Sequence, residues 1–206
     1  MMHWHIVCDF DGTISRADVI DNVLQRFAHP SWEGIEQGVF DLFSSDHCPF
    51  RFDDPEGKLN EKGKRHFRWI PNGIPGVATR LPILFSEGVM KGRIDINRFV
   101  AVTSTNHAKL YGMYPQKGTI AIGSDADIAL WDPTQRVTLT NDILQHGADY
   151  TPYEGLEVRG WPVRLLVRGQ TIMERGSVVE AGQGQYQSRK RSNLIAAANS
   201  GVSVRP

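Results

Sequence analysis

The sequence predicts an α/β chain that turns to β structure in its second half, and three features predict it. An apolar run over residues 4–8 feeds an acidic, glycine-containing loop and then an amphipathic helical stripe. Further helical stripes alternate with short extended runs up to about residue 115. After Gly118 the texture changes to short β-rich runs set off by turn residues, the pattern of an antiparallel sheet or sandwich. The 206 residues, 40% of them hydrophobic, suit a globular chain of one or two domains. With 23 basic and 23 acidic residues the net charge is zero, which lacks the clustered cation surplus of a phosphate-binding surface, so no nucleic-acid partner is expected. No apolar stretch approaches the roughly 20 residues of a membrane helix. The first eight residues carry no Lys or Arg, and the two cysteines, Cys8 and Cys48, make neither a metal-knuckle spacing nor a disulfide framework. Cytoplasm is the expected compartment.

Taken in order, residues 4–8 read as a buried strand and residues 9–13 as its loop. Ser15 opens a helix whose Val19, Ile20, Val23, Leu24 and Phe27 share one face until His29-Pro30 ends it. A short helix is expected over 32–37 and a strand over 39–43, running into the polar turn Ser44-Ser45-Asp46-His47. Residues 51–68 read as a long charged surface loop, and Ile70-Pro71-Asn72-Gly73 as a turn. A helical stripe covers 77–90 despite Pro82; Asp95 caps a helix over 96–102, and Thr105 caps another over 106–111. Strands are expected over 119–122, 127–131, 137–140, 163–167, 171–173 and 178–179, with a tail beyond Gly182 that carries Arg189, Lys190 and Arg191.

Two constellations carry chemistry. In the first, Asp9 and Asp11 sit two residues apart on a loop leaving a strand, where one carboxylate can act as nucleophile and the other as acid or base with Mg2+ between them and a phosphate. A turn rich in Asp and Gly is the plain alternative. The run IVCDFDGT at residues 6–13, with the helix after it, resembles the first motif of haloacid-dehalogenase-like phosphatases, and residues 2–33 are similar to the methionine-salvage branch of that superfamily. The resemblance implies Asp9 as nucleophile and Asp11 as general acid. The superfamily's downstream Ser/Thr, Lys and acidic pair have no counterpart here, so the segment reads as a remnant.

The second is Asp46 in the turn after the expected strand 39–43. A carboxylate at the C-terminal end of a barrel strand is where barrel enzymes place metal ligands and proton carriers; an Asx turn is the structural alternative. Four collinear motifs lie downstream: IPNGIPGV at 70–77, TRLPILFSEGV at 79–89, VTSTN at 102–106 and KGTIAIGSDADIALWDP at 117–133. Together they make residues 32–187 resemble the C-terminal part of the D-hydantoinase and dihydropyrimidinase family of amidohydrolases.

That resemblance implies the last βα units of a (β/α)8 barrel followed by a β-sandwich portion. A complete barrel takes about 250 residues, so the chain holds part of one. It implies hydrolysis of a cyclic amide by a pair of divalent ions, usually zinc, with Asp46 as metal ligand and proton carrier and Asn72 as the turn residue whose backbone contacts the substrate ring. The family's remaining ligands, an H-x-H pair, a carboxylated lysine and two histidines, belong to the part that would precede Trp32. His3 and His5 have H-x-H spacing but come before their strand rather than after it; His66, His107 and His146 match no ligand position, and Cys48 reads as a plain thiol.

The expected division is therefore residues 1–31 phosphatase-like, 32–115 barrel, 116–187 sandwich and 188–206 tail, with a seam near Ser31-Trp32-Glu33. Strands without neighbours should leave open edges and exposed apolar patches. The leading expectation is a hydantoinase-type chain nearly inactive alone. The alternatives are a Mg2+-dependent phosphatase remnant and a non-catalytic module that joins full-length hydantoinase subunits or its own copies.

Overall fold

The computed structural model describes residues 34–35, 37, 40–180 and 184–191. The strand, loop and helix expected over residues 1–31, with Asp9, Asp11, His3 and His5, lie outside the described residues.

The stripe at 77–90 forms α1 (Arg80–Leu84), which continues without a break into a wider π-type turn over Phe85–Val89. Pro82 is accommodated because it falls in the first turn, where its missing N–H has no helical acceptor to lose. Asp95 caps α2 (Ile96–Val100) as expected, its Oδ1 accepting the Arg98 N–H at 2.6 Å. The break expected before residue 106 does not occur. Helix α2 runs through a π-type turn over Ala101–Thr105 into α3 (Asn106–Leu110), and Thr105 is helical at φ −61°. Its hydroxyl donates to the Gly118 carbonyl at 2.7 Å instead of capping.

The second half forms one four-stranded antiparallel sheet in the order β1 (Ile128–Thr138), β2 (Glu157–Val167), β3 (Gln170–Glu174), β4 (Ser177–Val178). Two strands expected over 127–131 and 137–140 are a single strand, whose register with β2 shifts at Leu130/Trp131 and at Asp132/Arg136. These irregularities absorb Pro133 and Pro162, which cannot donate to a regular ladder. Strands β2 to β4 are joined by two-residue turns, Arg168-Gly169 and Arg175-Gly176, all four residues at positive φ as type I′ hairpins require.

Two expected strands are missing. Residues 40–43 of the strand expected over 39–43 belong to no ladder, and residues 119–122 form no strand at all. β-Propensity is realised only against a neighbouring strand, and neither segment has one among the described residues. Of the helix expected over 32–37, Gly34 and Ile35 are helical.

Helices and sheet are joined by an aromatic cluster. Phe85 stacks on Trp131 of β1 with ring centroids 4.8 Å apart, and Phe99 meets both edge-on at 5.4 and 5.8 Å. Leu84, Ile94 and the fully buried Val102 complete this core. Gly160 of β2, at φ +92°, lies directly against the Phe85 ring, leaving no room for a side chain. In the described part of the tail Arg189, Lys190 and Arg191 are exposed, and the Lys190 N–H donates to the Gly112 carbonyl at 2.8 Å beyond the end of α3. No helix among the described residues is long and apolar enough to cross a membrane.

Gly160→Ala should destabilise the chain by about 2–4 kcal/mol, combining overpacking against Phe85 with a strained positive φ. The midpoint and slope of urea unfolding measure this, and an unchanged midpoint would show that the helices and β2 are not in contact.

Candidate functional site

The site begins with the ladder-free run before Asp46. An unladdered strand leaves its carbonyls without partners, and four side chains of the helices supply them. Arg98 donates through Nη2 to Phe40 O at 2.6 Å and through Nε to Ile35 O. Asn106 donates to Asp41 O at 2.9 Å, and Arg80 to Phe43 O at 2.8 Å, with the His107 Nε2 3.2 Å from the same oxygen. The Phe43 N–H donates to Val102 O at 2.9 Å. The run is thus bound to α1, α2 and α3 in place of a sheet.

Asp46 follows in a left-handed turn at φ +43° with its carboxylate exposed. Asp tolerates this region better than most residues because its short polar side chain bonds locally. The next two residues fasten the turn to the loop that carries Asn72. The His47 Nδ1 accepts the Gly76 and Val77 N–H groups at 3.0 and 3.2 Å. The Cys48 N–H donates to Ile74 O at 3.1 Å, and the Cys48 side chain packs on Gly73, which adopts φ +87° and has no space for a Cβ there. The structure therefore brings the turns bearing Asp46 and Asn72 together, although they lie far apart in sequence.

A further layer comes from two segments. Lys58, only 7% exposed, reaches under the Asn72 turn and donates to Pro71 O at 2.7 Å and Gly73 O at 2.6 Å. The loop over 51–68 is consequently anchored at its middle. Its start is held by Asp149, whose carboxylate accepts the Phe52 and Asp53 N–H groups at 2.8 and 3.0 Å. These two backbone bonds hold the Asp149 carboxyl below its ordinary pKa. Phe52 packs edge-on against Tyr150 at 4.2 Å, and desolvation, with Asp149 and Cys48 nearby, pushes the Tyr150 hydroxyl up to about 12. The His146 ring lies 6.4 Å from that of His47, and its Nδ1 accepts the Ala148 N–H at 3.2 Å. The His146 Nε2 and the Tyr150 hydroxyl are buried without a hydrogen-bond partner among the described residues.

The donor set does not fit a two-metal centre. Among the described residues no group of three or more His, Cys, Asp or Glu side chains converges as a metal would require. One nitrogen of His47, the neighbour of Asp46, is committed to backbone amides. Neither Lys58 nor Asp149 stands out in the sequence. Lys58 sits in a run that reads as solvated, and Asp149 is separated from its partners by almost half the chain. His107 is a backbone contact in the scaffold, while His66 accepts the Arg68 N–H at the start of an exposed helical turn (Phe67–Trp69), one of the capping roles open to it from the sequence.

Comparison with known proteins defines the class. The model of the amidohydrolase family matches residues 13–172, and the chain belongs to that family. The match takes in part of the segment expected to be phosphatase-like and starts just after its Asp9 and Asp11. More particularly, the chain is 43% identical over 161 residues to the D-hydantoinase of Ralstonia pickettii, covering 78% of this chain and 34% of that protein. It superposes on the D-hydantoinase of Bacillus sp. AR9 with a TM-score of 0.75 at 43% identity, over 81% of this chain and 36% of the other. The dihydropyrimidinase of Brevibacillus agri gives 0.68 at 46% identity, over 73% and 32%. The chain spans about a third of the length of these relatives.

Burial, followed by the His47 charge, lowers the His146 pKa, and its Nδ1 is a backbone acceptor. A base whose folded pKa is depressed costs stability once the unfolded chain begins to protonate, below about pH 6.5, and the cost is complete below the folded value. The unfolding midpoint should therefore fall between about pH 7 and pH 5, and His146→Gln should flatten that part of the profile. Parallel profiles for the two proteins would remove His146 as the cause.

Proposed function

We propose that this chain is the C-terminal portion of a hydantoinase or dihydropyrimidinase-type enzyme that hydrolyses cyclic amides, nearly inactive unless the rest of the barrel is supplied. The observation that carries this is the fastening of the Asp46 turn to the Asn72 turn through His47 and Cys48, within a chain 43% identical to a D-hydantoinase. In this reading residues 32–115 are the barrel portion, 116–187 the sandwich portion and 188–206 a tail. Asp46 contributes one carboxylate to a divalent-metal site, zinc by family resemblance, whose other donors are not among the described residues. It also moves a proton to the leaving nitrogen, while the backbone at Asn72 contacts the ring. Partners are a cyclic amide and a polypeptide that completes the fold, either a full-length hydantoinase or further copies, in the cytoplasm.

A second reading has one observation in its favour, the IVCDFDGT run. It makes residues 1–31 a phosphatase-like remnant with Asp9 as nucleophile, Asp11 as general acid and Mg2+ as cofactor. It predicts Mg2+-dependent turnover of a phosphomonoester, abolished by Asp9→Asn.

The test of the main reading is co-expression with the part of a D-hydantoinase that this chain does not match, assayed on dihydrouracil. The chain alone should stay at background with zinc added. The complemented protein should turn over, and Asp46→Asn in it should lose at least about 100-fold in kcat. Full activity of the complemented Asp46→Asn protein would overturn the assignment.

A further inference from the structure

Lys58 is a buried cation in a segment whose other charges are solvated. Placing an ammonium out of water is costly unless its protons find acceptors, and this one finds the carbonyls immediately before and after Asn72, Pro71 O at 2.7 Å and Gly73 O at 2.6 Å. The backbone at Lys58 is itself fixed. Its N–H donates to Arg51 O at 2.9 Å, the Gly57 N–H donates to Asp54 O at 2.8 Å, and Gly57 lies so close to Arg51 O that no side chain fits. The base of the lysine is tied, through Asp149 on Phe52 and Asp53, to a different part of the chain.

The consequence for Asn72 follows from peptide geometry. In a planar trans peptide the C=O and the N–H point in opposite directions. With Pro71 O and Gly73 O both turned towards the ammonium, the N–H groups of Asn72 and Ile74 are turned away from it. The charge also favours this orientation over the flipped one, in which an N–H would face the cation. Cys48 holds the opposite side of the same turn through Ile74 O and Gly73.

We propose that Lys58 is a positioning residue: its buried ammonium sets the orientation of the peptide groups flanking Asn72 and so aims the Asn72 backbone at the cyclic amide. This rests on the reading of the Asn72 turn as the ring contact given above. The role requires a positive charge on a flexible stem. A neutral isostere of similar volume fills the space and leaves both carbonyls free to rotate.

The experiment uses the full chain, isotopically labelled, with dihydrouracil as the probe. In the wild type, addition of dihydrouracil should shift the Asn72 and Gly73 amide resonances. In Lys58→Met the amides of Asn72 and Ile74 should exchange with solvent about tenfold faster and the probe should bind at least about tenfold more weakly, while exchange in β1 and β2 stays as in the wild type. Lys58→Arg, which keeps the charge, should recover part of both effects. Should Lys58→Met fail to fold, Lys58→Gln carries the same comparison. A wild type whose Asn72 and Gly73 amides ignore dihydrouracil overturns the ring-contact reading. A wild type that responds, beside a Lys58→Met protein with the same exchange and affinity, overturns the role of Lys58 alone.

Discussion

The arrangement depends on how the backbone of residues 40–43 is satisfied. A strand delivers its carbonyls to a neighbour, and this segment has no neighbouring strand among the described residues. An unpaired carbonyl costs on the order of 1–3 kcal/mol when fully buried, and less in this run, where Phe40 and Phe43 are half-buried and Asp41 is exposed. Arg98 takes Phe40 O and Asn106 takes Asp41 O, while Arg80 and His107 share Phe43 O. Because these donors sit on α1, α2 and α3, and the helices are locked to β1 by Phe85, Phe99 and Trp131, the position of Asp46 is set by the same aromatic core that holds the sheet. Loss of one donor therefore acts on the turn that follows, several residues away.

The site is assembled from loops, yet its backbone is closely specified. His47 and Cys48 bind the Asn72 loop from one side and Lys58 binds it from the other. Each of these contacts ends on a backbone atom, which fixes peptide orientation and leaves the Asp46 side chain exposed. A side chain in contact with substrate need not then spend its hydrogen bonds on holding itself in place.

Helix periodicity made α1 and the Asp95 cap legible in the sequence, because both depend on neighbours within one or two turns. The two hairpin turns are equally local, and Arg175-Gly176 is recognisable from its residues alone. The joining of α2 to α3 was not legible: Thr105 is a good cap by type, but its hydroxyl finds Gly118 O, thirteen residues on. The continuity of β1 through Asp132-Pro133 was hidden as well, since it depends on a bulge opposite Trp161 and Pro162. At the site, motif similarity singled out Asp46 and Asn72, but nothing in the residues themselves announced their bracing. Lys58 and Asp149 act through backbone groups of distant segments, and a backbone acceptor leaves no signature in a sequence.

Residues 119–122 show the same limit from the other side. The run has β-forming residues, yet its conformation is set by charge at its ends. Lys117 bridges Asp125 and Asp127, Asp127 also accepts the Arg168 N–H at 2.8 Å, and Gly169 donates to Ala126 O at 2.9 Å. Desolvation opposes the lysine's charge, yet the pair of carboxylates raises its pKa, and the Lys117 ammonium in turn, with the Gln116 amide, holds the Asp125 carboxyl low. The loop is closed on the first hairpin, and Ile120 and Ile122 are left in water at 84% and full exposure. Burying each would be worth roughly 2 kcal/mol, so the preference of this segment for a strand is real but unspent. Val178 and Val179 at the far edge of the sheet are exposed for the same reason. In a chain that matches about a third of its relatives, local rules fail where the second half of an interaction, a ladder or a covering face, is not supplied by the described residues. They hold at Asp95 and at the hairpin turns, where it is.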